Sequence, residues 1–241
     1  MSRGLWKALA GVFVMAVVAT AVSAQTPTVD EIAAKNIAAR GGAARIRAIQ
    51  TLKQTGHLTI SGMQATFTLY KKRPNRMRNE LSIAGANVVA AFDGTNAWAI
   101  NPPPGQPPSM LSGASAEPVK RQADFDPPLL DYKTRGTKVE LVGTEALNGA
   151  QVYHLKLTNK DGMVVQCYLD VKTGLETKFV GDSPNGPAET VLGDYRDVNG
   201  VKIPFSAKTS IGGTVVSDLI VDKCEIDAPM ADALFTMPGK L

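Results

Sequence analysis

From Thr51 onward the chain changes side-chain character every second residue and reverses direction at short intervals, a combination that leaves few folds open. Met63, Ala65, Phe67 and Leu69 alternate with Gln64, Thr66, Thr68 and Tyr70, and Val139 and Leu141 alternate with Lys138 and Glu140. Successive side chains of a strand point to opposite faces, so a period of two describes a sheet with one covered face. Ser61-Gly62, Asp93-Gly94, Asn148-Gly149, Asp161-Gly162, Asn185-Gly186, Asn199-Gly200 and Gly212-Gly213 supply the positive-φ residues that tight hairpins require. About a dozen antiparallel strands follow from that spacing. Neither an internal repeat nor a helix–strand alternation is visible, which argues against a parallel α/β sheet.

Two stretches depart from this rhythm. Thr28 with Glu31 three residues later forms a capping-box signature, and Val29, Ile32, Ala33 and Ile37 recur at helical spacing, predicting a helix that ends at Gly41-Gly42. A second short helix is expected over Ala43–Ile49, with Ile46 and Ile49 on one face and Arg45 and Arg47 on the other. Between Asn101 and Gly136 eight prolines exclude a continuous strand. Short helices are expected there over Val119–Phe125 and Leu129–Tyr132. Composition leaves two uses of this segment open, a cover over the sheet or a surface excursion.

Residues 1–24 read as an export signal: Arg3 and Lys7 form a charged start, Ala8–Thr20 an apolar core, and Val22-Ser23-Ala24 a cleavage site before Gln25. The apolar run is shorter than the ~20 residues of a membrane span, and no cysteine stands near the cleavage site to carry a lipid. A soluble periplasmic protein is expected, with residues 25–241 forming one all-β domain, a class that runs to about 200–250 residues. Losing Arg3 and Lys7 from 26 basic residues against 22 acidic ones leaves a nearly neutral chain, which points to no charged macromolecule. Cys167 and Cys224 fall in separate strand-like runs, with about two strands between them in a simple meander. Buried, unpaired thiols are therefore expected, although the compartment permits disulfides.

The catalytic motifs are absent. There is no nucleophile elbow, dinucleotide fingerprint, P-loop or zincin helix, and His57 and His154 are the only histidines. His154 is expected on the surface and His57 in a structural role. No cofactor or metal is implied, and Asp124, Asp126 and Asp131 read as a solvated loop. Lys71, Lys72, Arg73, Arg76 and Arg78 place five cations in eight residues. A nucleic-acid site is not expected, because no stacking aromatics interleave them and the signal exports the chain. A charged hairpin end that keeps a sheet edge soluble accounts for them.

The order of motifs from Tyr70 to Pro102 resembles the outer-membrane lipoprotein-sorting carriers, the LolA-type family. Lys72-Arg73-Pro74-Asn75 corresponds to that family's KRPN turn, Asp93-Gly94 and Trp98 to its turn and strand, Asn101-Pro102 to the strand's end, and Leu234-Phe235-Thr236-Met237-Pro238 to its closing tail. The chain departs from the pattern at Arg76, at Ala99-Ile100 after the tryptophan, and in an alanine-rich first helix.

The resemblance implies a curved antiparallel sheet forming an incomplete barrel, lidded by the N-terminal helix and the Pro-rich insertion. It implies no enzymatic activity and a monomer that carries the acyl chains of lipoproteins or related lipids between inner- and outer-membrane transport proteins. Arg73 becomes the lid latch, its donors holding helix-end carbonyls, and Ile32, Ile37, Ile46 and Ile49 the apolar side of the lid. Phe67, Phe92, Trp98, Tyr168, Phe179, Tyr195 and Phe205, one or two per strand, either fill a core or line a cavity; the resemblance favours the cavity. A lipid-sensing or adaptor protein of the same fold, binding a partner protein without ferrying cargo, is the other reading.

Overall fold

The computed structural model describes residues 26–101, 103 and 105–239; the expected signal sequence and its cleavage site lie outside the described residues. Helix α1 spans Val29–Ala39 and carries the full capping box: the Glu31 amide donates to Thr28 Oγ1 at 3.3 Å while Glu31 Oε2 accepts from the Thr28 amide at 2.7 Å. Gly41 ends it at φ +116°, where a Cβ would stand 2.1 Å from the carbonyl oxygen of Gly200. The chain can make this close approach only with glycine. Helix α2, Ala43–Ala48, follows at once.

Strands β1 (Thr51–Ile60), β2 (Met63–Lys72), β3 (Arg76–Ile83), β4 (Ala86–Phe92), β5 (Ala97–Ile100) and β6 (Ser109–Leu111) run outward in one direction. After helix α3 (Glu117–Gln122), strands β7 (Lys138–Leu147), β8 (Ala150–Thr158), β9 (Val164–Asp170), β10 (Glu176–Ser183), β11 (Gly186–Val198), β12 (Val201–Ile211) and β13 (Thr214–Ile226) return from the far side until β13 pairs with β1. Thirteen antiparallel strands thus form one curved sheet whose edges, β6 and β7, do not pair. These edge strands are consecutive in sequence, so residues 112–137 must travel from one edge to the other. They do so across the face already occupied by α1 and α2, which makes the Pro-rich segment a cover by topology.

Each helix covers its own part of this concave face. Ile46 of α2 and Ile49 just after it, with Leu130, pack on Leu58, Ala65, Phe67, Val201, Ile203 and Val221 at the centre of the sheet. Ile32 and Ala33 of α1, with Leu129, pack on Leu155, Leu157, Cys167 and Leu169. Val119 and Ala123 at α3 pack on Met77, Phe92 and Ala97. Gly56 lets the central strands close up: a Cβ there would meet the Ile220 carbonyl oxygen at 2.1 Å and Phe67 Cε1 at 2.7 Å, beside a bulge between Thr55 and Gly56. Bulges bend and twist a strand, as a curved sheet requires.

The second expected helix of the insertion is not formed. Residues 129–132 are turns, because Asp131 takes a φ of +53° that no right-handed helix contains. Leu129 and Leu130 are nevertheless buried and act as the insertion's anchors. Cys167 and Cys224 are unpaired, with β10, β11 and β12 between their strands, one strand more than expected.

Candidate functional site

Beneath α2 and the insertion, the central strands leave a cavity of about 260 Å³. Its lid is Ile46, Ile49, Phe125 and Pro127; its floor is mainly Leu52, Leu69, Ile203, Leu219 and Val221. Polar groups are few: Gln54, Ser206, Arg40 at the end of α1, and Lys71 of β2. An apolar concavity with a small number of polar groups is the usual form of a small-molecule site, and the volume falls just below the common range of about 300–1,000 Å³. Among the described residues, no cluster of three or more His, Cys, Asp and Glu side chains forms a metal centre, and no helix is long and apolar enough to cross a membrane.

The cations of the β2–β3 hairpin are divided between the faces of the sheet by strand alternation. On the concave side Arg73 donates from Nε to the Ile49 carbonyl at 2.7 Å and from Nη2 to the Ile46 carbonyl at 3.0 Å, and its Nη1 and Nη2 fork onto Asp126. One guanidinium therefore holds both the C-terminal end of α2 and the insertion. Its carbon also lies 4.5 Å from the centroid of the Phe125 ring, a cavity wall. Lys71 donates to the Asp124 carbonyl at 2.7 Å. On the convex side Lys72 reaches the Met230 carbonyl and Asp232, Arg76 reaches the Asp93 carbonyl and Asp232, and Arg78 reaches Glu80 and the Leu234 carbonyl. The expectation that Lys71, Lys72, Arg76 and Arg78 merely solubilise a hairpin end is thus corrected. Both the lid and the C-terminal tail terminate in carbonyls and carboxylates, and the hairpin supplies their donors.

The tail explains Trp98. Phe92 pairs with Ala97 across the β4–β5 turn, so Ala97 shares the concave face with Phe92, and Trp98 points the other way. There it is fully buried against Val89, Ala91 and Met237, with Nε1 donating to the Phe235 carbonyl at 2.8 Å. The tryptophan and the Leu234–Pro238 motif, 137 residues apart, belong to one convex cluster.

None of the seven aromatic residues expected in a cavity lines this one. Phe67 and Phe92 fill the concave core, under α2 and α3 respectively, and Phe179 packs beside the α1 cluster. Phe205 is buried in the central cluster, with the Arg196 guanidinium 4.4 Å from its ring centroid. Tyr168 lies opposite Cys167 and Leu169, on the convex face, stacked 4.4 Å from His154 beneath the Lys178 ammonium. His154 is accordingly half-buried rather than on the open surface, and donates to or accepts from Gln166 at 2.8 Å. His57 is exposed beside Asp222. Tyr195 gives its hydroxyl to the Glu176 carbonyl at 2.9 Å. The sheet's aromatic rings serve as packing, and the floor of the cavity is left where smaller Ile, Leu, Val and Ala side chains meet, with Phe125 of the insertion above.

Of the expected lid residues, Ile46 and Ile49 face the cavity, Ile32 is buried over β8 and β9, and Ile37 bridges the two clusters. Two residues missed in the sequence complete the site. Arg40 pairs with the fully buried Glu176 at 3.1 Å, which sets an ion pair at the rim of an apolar space. Burial beside Glu176 pushes the Tyr195 hydroxyl far above its ordinary pKa, so it stays a neutral donor. Lys71 is the second: desolvation pulls its ammonium down to about 8, against weaker support from Asp124 and Asp126. Its place was legible, since extending the Ala65, Phe67, Leu69 alternation by two reaches Lys71.

No family model and no curated protein matches the chain. Solved structures do. A DUF1329 family protein from Desulfovibrio piger superposes with a TM-score of 0.62 at 12% identity, covering 88% of this chain and 98% of the other. A LolA superfamily protein from Nitrosomonas europaea gives 0.57 at 15% identity over 88% and 98%. The fold is LolA-like. A putative outer membrane lipoprotein-sorting protein domain from Vibrio parahaemolyticus agrees, at 0.58 and 10% identity over 85% and 94%. In LolA-like terms, the curved unclosed sheet is the half-barrel, and α1, α2 and the insertion are its helical lid.

Proposed function

We propose that this protein is an exported, non-enzymatic carrier that holds the acyl chain of a lipoprotein or related lipid beneath its lid. Residues 1–24 are removed, and residues 25–241 form a monomeric lipid-binding domain of the periplasm. It takes cargo from an inner-membrane donor and yields it toward the outer membrane. The observation that carries this reading is the apolar cavity of about 260 Å³ under a lid fastened by polar bonds. Burial of acyl chain is worth about 0.8 kcal/mol per CH₂, so even a partly enclosed chain is retained in water. The closed cavity holds only part of a long chain, and full loading requires the lid to shift. Arg73 suits such movement, because hydrogen bonds to carbonyls and a carboxylate exchange with water far more readily than a packed core does. LolA-like structures of lipoprotein-sorting domains are consistent with this use of the fold.

The test is native mass spectrometry of the protein purified from its periplasm, with lipid extraction of the same sample. Co-purified acyl lipid or lipopeptide at near one per chain is the expected result. A chain that emerges empty, and that binds no added acyl ligand, would exclude the carrier and leave the adaptor.

A further inference from the structure

Lys71 is an odd residue to find in the wall of an apolar cavity. An ammonium offers three donors, and among the described residues Lys71 has one hydrogen-bond acceptor, the Asp124 carbonyl at 2.7 Å. The carboxylates nearest to it are committed elsewhere: Asp126 is forked by Arg73, and Asp124 pairs with Arg135. Arg40, the other cation on the cavity, is matched by Glu176, yet its buried Nε has no partner. The cavity therefore carries one uncompensated positive charge, with the spare N–H donors of Lys71 on its β2 side and largely apolar walls along the rest. Water satisfies such donors poorly in a space this apolar. A ligand oxygen bearing negative charge would do so with charge-assisted bonds.

We propose that Lys71 receives the head of an acyl chain that ends in a carboxylate, so that the cargo is an anionic amphiphile rather than a neutral acyl group. This rests on the carrier reading and refines it. One ammonium and a small cavity favour a compact, singly charged head over a bulky one. The bound carboxylate would accept from Lys71 while its chain lies along Leu52, Leu69, Leu219 and Val221. Lys71 loses its proton at about pH 8, with Asp124 and Asp126 of the lid, Arg73 and Arg135 that pair them, and Arg40 with Glu176 as the charged groups around it. The preference for an anion should accordingly be present at pH 6.5 and lost well above pH 8.

The experiment measures displacement of a neutral fluorescent acyl probe from the full exported chain by palmitate and by methyl palmitate. Palmitate should bind about tenfold more tightly than the ester at pH 6.5, the ratio that one shielded charge-assisted bond supplies, and equally at pH 10. In Lys71→Met the ester should bind as before and the tenfold preference should vanish, while Lys208→Met, at an exposed convex position, should retain it. Equal binding of the two ligands by the wild-type protein at pH 6.5, or an undiminished preference in Lys71→Met, overturns the head-group role and leaves acyl binding standing. Tighter binding of lysophosphatidylglycerol than of palmitate assigns the head to a phosphate and overturns the carboxylate. Binding of no ligand at all overturns both this inference and the carrier. The wild-type ratio and its pH dependence need no variant to fold.

Discussion

Arg73 and Asp126 form a forked ion pair, with Nη1 to Oδ2 at 3.0 Å, while the same guanidinium holds the carbonyls of Ile46 and Ile49. A residue of the β2–β3 turn thereby joins α2 to the insertion, beside the Arg47–Asp131 pair and the packing of Leu130 with Ile46 and Ile49. Arg73→Leu keeps the apolar stem and removes every donor. Bonds to a charged group are worth about 1.5–3 kcal/mol each, so opening of residues 28–49 and 117–132 should become about 10- to 100-fold more frequent by hydrogen exchange. Exchange in β8–β12 should barely change, since those strands do not depend on the latch. Arg73→Lys should recover only part of the effect, because a point charge cannot serve three acceptors in a fork. Unchanged exchange in the lid would remove Arg73 from this role.

Trp98 reports on the tail and not on the cavity. It is the only tryptophan besides Trp6 of the proposed signal, it is fully buried, and its indole N–H is bound to the Phe235 carbonyl. Emission of the exported protein should be blue-shifted and should stay constant as an acyl ligand is added. Phe235→Ala removes the fully buried side chain of the residue whose carbonyl holds the indole, at a cost of about 3–5 kcal/mol, and should red-shift the emission. A ligand-dependent shift in the wild-type protein would mean that the convex cluster senses the cavity.

The sheet was legible because alternation and Xaa-Gly turns are local, and about a dozen strands followed from them where thirteen are formed; composition left open whether the Pro-rich segment covers the sheet, and the cover follows from the strand order. Arg73 was legible through its motif, and Asp126 was visible only as one of three loop carboxylates. What sequence concealed was which face each aromatic takes. Within one strand parity settles it: Tyr168 must oppose Cys167 and Leu169. Across a hairpin the turn sets the parity, and the Phe92–Ala97 pairing sends Trp98 to the convex side. The tail that buries it lies far off in sequence, so its contact with the indole follows from no local pattern. Arg40 and Glu176 are 136 residues apart, and nothing local marks either as buried.

Both thiols should be slow to react. Burial with the Glu176 charge near it pushes Cys167 well above its ordinary pKa, and burial lifts Cys224 to about 11. The thiolate is the nucleophile, so at pH 8 only about one Cys224 in a thousand is reactive, and Cys167 is also sterically closed. Iodoacetamide at pH 8 should label neither in the native state and both after denaturation. Labelling of Cys224 should rise as pH climbs from 8 through 11. Rapid native labelling at pH 8 would contradict this burial, and loss of both thiols to a disulfide in freshly purified protein would contradict the strand separation between β9 and β13.

Arg40 and Glu176 are the costliest polar pair to break. Glu176 is fully buried at the start of β10, its carboxylate receives Arg40 Nη1 at 3.1 and 3.2 Å, and Tyr195 Oη lies 3.2 Å from Oε2. Removing one member of a buried pair leaves the other charge without compensation, which costs about 3–5 kcal/mol, whereas replacing both with apolar groups is often close to neutral. Arg40→Met should therefore lower stability by that amount in denaturant unfolding, Glu176→Leu by a similar amount, and the double variant by clearly less than either alone. The mechanism predicts more than a stability pattern, because Arg40 anchors the end of α1 at the cavity rim. The double variant should fold, keep its thirteen-stranded sheet by circular dichroism, and still exchange faster over residues 28–42. Additive losses in the double variant would show that the two side chains act independently, and that the ion pair does not fasten α1 to the sheet.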